Sequence, residues 1–309
     1  MKKLAILLAV LLLLSGCSPK GPEVGYLQTR EANAHLHIWG KDREDAVSAL
    51  QTLLLELDDR WAANYINSVP SQLNDEGTVL YLEDMEFLDQ LEALSQRTEG
   101  AFDPMLHSVL ALWGFVDGKF QVPSQETLDA AMAEEKWNVS AAVQGYFGRR
   151  AVQLLQTMRV EQAILYIGAC VQTYGENEDG SPWKIDVKDA NGGVPIGQVD
   201  VYGTMMVAST VGRHKDFEEN GKRYHGILDP KTGMPAESGL RSVTVISKDG
   251  VVADALTTAL FVMGLEKATA LWQQSEDFEA VFVLDDGSVY ATEGANFSGC
   301  DFTTIRRDG

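Results

Sequence analysis

Cysteine is nearly absent. Three in 309 residues, Cys17, Cys170 and Cys300, exclude a disulfide scaffold and any zinc site of the CxxC type. Proline is also scarce, at 9, and with 45% apolar and 23% charged residues the composition is that of a globular protein rather than a disordered one. The deficit of basic residues says most about partners. Lys and Arg number 25 against 45 Asp and Glu, a formal charge of −20. A basic surface for nonspecific nucleic-acid binding is therefore disfavoured, and no nucleic-acid partner is expected. Walker A, GxGxxG and HExxH strings are missing, so phosphate-loop, dinucleotide-fold and zinc-hydrolase readings start without support. The length suits one large domain or two ordinary ones.

The chain opens with an address. Residues 1–16 place two lysines before an unbroken apolar run and then small residues, the order of a secretory signal, with a run too short for a comfortable transmembrane helix. Leu14-Ser15-Gly16-Cys17 resembles the lipobox of bacterial lipoproteins, in which the cysteine is lipidated and becomes the mature N-terminus. Removing residues 1–16 deletes Lys2 and Lys3 and no acid, taking the charge from −20 to −22. Residues 17–26 read as a lipidated tether, and 27–309 as one folded domain. An extracytoplasmic protein, anchored by lipid to the cell membrane, is expected.

Within the folded part, residues 27–39 alternate as a strand around His35-Leu36-His37-Ile38-Trp39. Leu50, Leu53, Leu54, Leu57 and Trp61 recur at helical spacing within 42–64, and Phe87, Leu88, Leu91 and Leu94 do so within 83–97. Ser124 opens a helix over 124–135; 145–158 is helical, and 162–174 reads as one buried strand. From 183 onward strands dominate: WKIDVKD, GQVDVYGTMMVAST, RSVTVISK and AVFVLDD, with a turn at Asn191-Gly192-Gly193. One helix, 252–263 continuing as 266–276, interrupts them. Helices and strands mix without strict βαβ alternation, which points to an α+β fold with a mostly antiparallel sheet flanked by helices.

Four segments could carry chemistry. Gly100-Ala101-Phe102-Asp103-Pro104, followed by Leu112-Trp113-Gly114-Phe115, specifies a sharply turned backbone holding one acid; an ordinary capped loop is the plainer alternative. Asn138 to Tyr146 opens a helix whose small residues let a ligand approach the backbone, or simply pack tightly. Asp229-Pro230-Lys231-Thr232-Gly233 is a turn preceded by His225. Asp254 and Thr258 lie four apart on a helix, so a carboxylate and a hydroxyl share a face. Two hard oxygen donors suit Mg²⁺. The plain alternative is a helix-stabilising acid with Thr258 bonded back to the chain.

Together and in this order, GAFDP with LWGF, DPKTG and ADALTTALFVMG resemble the ApbE family, the FAD:protein FMN transferases, over about residues 30–290. The resemblance implies a Mg²⁺-dependent enzyme that binds FAD as substrate. It would place FMN on a threonine or serine hydroxyl of an acceptor flavoprotein subunit of a membrane or exported redox system, releasing AMP. It further implies that Asp254 and Thr258 bind the metal with the Ala141 carbonyl. Tyr65, Ala101, Phe102, Asp103, Asn138, Gln144, Ile227 and Asp229 would then contact the flavin nucleotide. The lipoprotein signal fits, since many members are exported.

The chain also departs from the family pattern. Gln144 stands where the family has lysine, and the nearest cations along the chain are Arg149 and Arg150. Gly226 stands where the family has histidine, leaving His225, one position earlier, as the provisional base. On an extended chain that one-residue offset points the side chain to the opposite face. A flavin- or nucleotide-binding lipoprotein without transfer activity, or an FAD pyrophosphatase, is the alternative expectation.

Overall fold

The computed structural model describes residues 21–75, 77–189, 194–212 and 216–307. The signal segment, Cys17 and the Asn191-Gly192-Gly193 turn lie outside the described residues. The elements run β1 (Glu23–Gln28), β2 (Asn33–Gly40), α1 (Arg43–Trp61), α2 (Val69–Asp75), α3 (Leu82–Arg97), α4 (His107–Leu112), α5 (Gln125–Met132) and α6 (Val143–Leu155). There follow β3 (Val160–Ile167), β4 (Cys170–Tyr174), β5 (Trp183–Val187), β6 (Gly197–Val201), β7 (Met206–Val211), β8 (Phe217–Glu219), β9 (Lys222–Tyr224) and β10 (Leu240–Ser247). The chain closes with α7 (Gly250–Gln273), β11 (Phe278–Leu284), β12 (Val289–Thr292), β13 (Phe297–Gly299) and β14 (Thr303–Ile305).

Nine strands form one sheet in the order β1-β2-β3-β4-β7-β10-β11-β12-β14. Every pairing is antiparallel except β12 with β14. The α+β, mostly antiparallel expectation is thus met. Side chains of period two serve two cores. Val243 and Val245 of β10, with Ala280 and Phe282 of β11, pack on the helical side, whereas Ile246, Val281 and Val283 face a three-stranded sheet, β13-β6-β5. Strands buried on both faces read as continuous apolar runs, which is why 162–174 looked like a single strand. It is two, β3 and β4, separated at Gly168 and Ala169, with Gly168 at φ 59°. The run 197–210 is likewise two strands, β6 and β7, with Gly203 at φ 69° between them. Glu23–Tyr26, expected within the tether over 17–26, pair with β2 instead.

Helices α1, α3 and α6 meet in an aromatic knot. Phe87 stands edge-on to Trp61 at 4.8 Å and stacks on Tyr146 at 4.2 Å. Each such ring contributes roughly 2–3 kcal/mol of burial. Ser124 caps α5 by accepting the Thr127 N–H, as its position suggests. The expected helix over 252–276 is α7, in which Gly264 adopts φ 75° and breaks the helical path. Its first half therefore serves the site described below, while its second half buries Trp272.

Candidate functional site

Two helix starts are pressed together to make the floor of the site. A Cβ on Gly145 of α6 would overlap the Gly250 carbonyl of α7, and one on Gly250 would overlap the Gly145 carbonyl. Glycine is needed at both because the backbones themselves are in contact. The contact brings the Gly145 N–H to 2.9 Å from an Asp254 carboxylate oxygen. Asp254 is buried, and the thiol of buried Cys170 also donates to it. Among the described residues no cation neighbours it to offset the desolvation, and burial pushes its carboxyl up to about 7 despite the bonds from Gly145, Cys170 and the Gln144 backbone. The Cys170 thiol is itself pushed well up by burial and by the nearby carboxylate.

One turn on, Thr258 shares the face of Asp254, and both line a cavity of about 290 Å³. The back-bonded threonine is Thr257, whose hydroxyl donates to the Asp254 carbonyl at 2.7 Å. Thr258 has no hydrogen bond among the described residues, so the capping alternative does not hold for it. Ala141 lines the same cavity. One carboxylate, one alcohol and one carbonyl are hard oxygen donors of the kind Mg²⁺ takes, and the buried anion without a counter-charge is the electrostatic counterpart of a cation site. Among the described residues, no group of three His, Cys, Asp or Glu side chains is placed to hold a metal.

The sharply turned segment forms one wall. Glu99 and Gly100 both have positive φ, 53° and 76°, and close the end of α3 through the Gly100 N–H to the Ser95 carbonyl. The Thr98 hydroxyl accepts the Phe102 N–H, and the Asp103 carboxylate accepts the Met105 N–H at 2.8 Å. Ala101, Phe102 and Asp103 all reach the cavity. Asn138 joins this wall to the next, its N–H bonding the Pro104 carbonyl and its side chain accepting the Ser140 N–H and hydroxyl. Asn138 and Ile227 line the cavity as well. The LWGF and DPKTG segments are bonded to each other, the Trp113 indole N–H donating to the Gly233 carbonyl at 2.8 Å.

Three of the expected site residues do not line the cavity. His225 does not reach the cavity; Gly226 and Ile227 do, while the imidazole lies edge-on to Phe261 at 5.8 Å and its Nδ1 accepts the Ile227 N–H. Burial lowers its pKa, so the ring is neutral near pH 7. Asp229 also stays out of the cavity, using its carboxylate on the Lys231 N–H and its backbone to close the turn. Tyr65 lies behind the wall with the Arg30 guanidinium 4.3 Å above its ring, and it is Arg30 that lines the cavity. Arg149 pairs with Asp249, and Arg150 with Glu83 and Tyr146; neither reaches the cavity. Gln144 does, with its amide committed to the Ala169 N–H at 2.9 Å and the Glu31 carbonyl at 3.3 Å. Sequence reasoning missed Arg30, Glu31 and Asn64, which no short motif marks.

The family model described as the ApbE family matches residues 31–282. An FAD:protein FMN transferase from Vibrio cholerae is 27% identical over 321 residues, covering 93% of this chain and 96% of that protein. One from Treponema pallidum is 27% identical, covering 81% of this chain and 80% of that protein. One from Klebsiella pneumoniae reaches 40% over 155 residues, but that match spans only 46% of its own length. The crystal structure of the ApbE protein from Thermotoga maritima superposes with a TM-score of 0.80 at 25% identity, over 88% of this chain and 97% of that one. The apo flavinyl transferase ApbE of Pseudomonas stutzeri gives 0.74 at 26%, over 93% and 96%. With the family model matching most of its length, the chain belongs to the ApbE family.

Proposed function

We propose that the protein is an FAD:protein FMN transferase, which moves FMN from FAD to a threonine or serine hydroxyl of an acceptor protein and releases AMP. The observation that carries this reading is the convergence of Phe102 and Asp103, of Asn138, Ser140 and Ala141, and of Asp254 with Thr258 on one cavity. Relatives matched over most of their length are named FAD:protein FMN transferases.

Asp254, Thr258 and the Ala141 carbonyl would hold Mg²⁺. Bound there, the ion would supply charge neutralisation for a diphosphate. The remaining work falls to the chain. Phe102 and Ile227 offer apolar surface to a flavin ring, and Asn138 and Ser140 offer polar groups beside it. In the transfer, the acceptor oxygen forms a bond to the phosphorus of the FMN half, the bond from that phosphorus to the AMP oxygen breaks, and the hydroxyl proton leaves with it. The side chain of His225, turned onto Phe261, takes no assigned part.

The signal and lipobox support a working place outside the cytoplasm with a lipid anchor, where the acceptor would be a subunit of a membrane or exported redox system. No helix among the described residues is long and apolar enough to cross a membrane. Incubating residues 18–309 with FAD, Mg²⁺ and a threonine-bearing acceptor peptide should yield peptide heavier by one FMN and an equal amount of AMP. No modified peptide, under conditions where a known transferase modifies the same peptide, refutes the reading. The absence of a cavity-facing histidine among the described residues favours one alternative, a flavin-binding lipoprotein without transfer, which predicts FAD binding with no AMP.

A further inference from the structure

We propose that Arg30 is the cationic group that meets the FAD diphosphate in this protein, taking the electrostatic part that Gln144, a neutral amide, cannot take. The inference rests on the flavin-transferase reading. Arg30 is the only Lys, Arg or His among the described residues that line the cavity, whose other charged walls are Glu31, Asp103 and Asp254. A diphosphate entering a cleft with three carboxylates needs positive charge beyond that of one divalent ion. The guanidinium and the Gln144 amide border the same corner: Gln144 donates to the carbonyl of Glu31, the residue next to Arg30.

The turn between β1 and β2 holds Arg30 in place. The Asp58 carboxylate, itself buried, accepts the backbone N–H groups of both Arg30 and Glu31 at 3.0 Å. Arg30 Nη1 then bonds Asp58 and Asp59, and the guanidinium face rests on Tyr65. These contacts use one nitrogen and one face. Nε and Nη2 have no hydrogen-bond partner among the described residues, and together they form the edge with which arginine binds a phosphate through two bonds. Asp59 is well exposed, so solvent screens its competing charge. Tyr65 is thus a positioning residue that acts through Arg30.

The test is binding, read by quenching of flavin fluorescence without an acceptor, for FAD, which carries the diphosphate, and for riboflavin, which carries no phosphate. Arg30→Gln keeps the backbone bonds to Asp58, so the turn should survive. It is expected to weaken FAD at least about tenfold, about 1.4 kcal/mol, and to leave riboflavin unchanged. Arg30→Gln combined with Gln144→Lys should recover most of the FAD affinity, because the second substitution returns a cation to the same corner. Unchanged FAD affinity in Arg30→Gln, equal losses for FAD and riboflavin, or no recovery in the double variant overturns the inference while leaving the function standing. Wild-type protein that fails to quench FAD overturns both.

Discussion

Asp254→Asn should make the metal-free protein more resistant to unfolding at alkaline pH, although it deletes a buried side chain's charge and two of its bonds become weaker. The reason is the cost of the ion. Burial lifts the Asp254 carboxyl from 3.8 to about 7; at 1.36 kcal/mol per pH unit, the ionised form is penalised on the order of 4 kcal/mol relative to the unfolded chain. Between about pH 4 and pH 7 the folded protein keeps a proton that the unfolded chain has released, so its stability falls as pH rises and levels off above about 7. Asparagine cannot ionise, so its curve lacks that descent. Urea denaturation at pH 5 and pH 8.5 measures the difference. The stability of Asp254→Asn minus that of wild type should shift by about 2.7 kcal/mol in favour of the variant over this interval, worth roughly 5 °C in Tm at about 2 °C per kcal/mol for a domain of this size. Millimolar Mg²⁺ should lift the wild-type curve at pH 8.5 and leave the variant where it was. Parallel pH profiles for the two proteins, or a wild type indifferent to Mg²⁺, would refute the view of Asp254 as a charge awaiting a cation.

Gly145→Ala forces a methyl into the Gly250 backbone and should cost about 2–4 kcal/mol in urea unfolding, with FAD binding falling alongside; a loss under 1 kcal/mol would mean that the two helices part easily. Trp113→Phe leaves the Gly233 carbonyl without its indole donor and should cost about 1–3 kcal/mol, seen as a lower Tm. Iodoacetamide should alkylate exposed Cys300 in folded residues 18–309 and spare buried Cys170 until denaturant is added, as read by peptide mass mapping.

Much of the scaffold was legible because local patterns and tertiary placement agree. The leucine spacing in α1 and α3, the Ser124 cap and the alternation about Leu36 and Ile38 all correspond to observed elements. The reading failed where a turn lies between two doubly buried strands, as at Gly168 and Ala169, because hydrophobicity does not dip there. The site shows the same division. Asp254 and Thr258, or Ala101 to Asp103, are neighbours in sequence and were found as such. Arg30 reaches the cavity only because Asp58, from another element, folds its turn, so Tyr65 was picked in place of the arginine lying on it. His225 shows how a shift of one residue along an extended chain takes a side chain off the cavity and against Phe261.

The cavity draws on both extremes of the polypeptide: the turn carrying Arg30 leaves the ribosome early, and the helical stretch with Asp254 and Thr258 leaves it late. A nascent or clipped chain lacking the later part has neither the proposed ion's two side-chain ligands nor the floor they stand on. Removing the last third of the protein would therefore take away the cavity's floor however much of the rest remained.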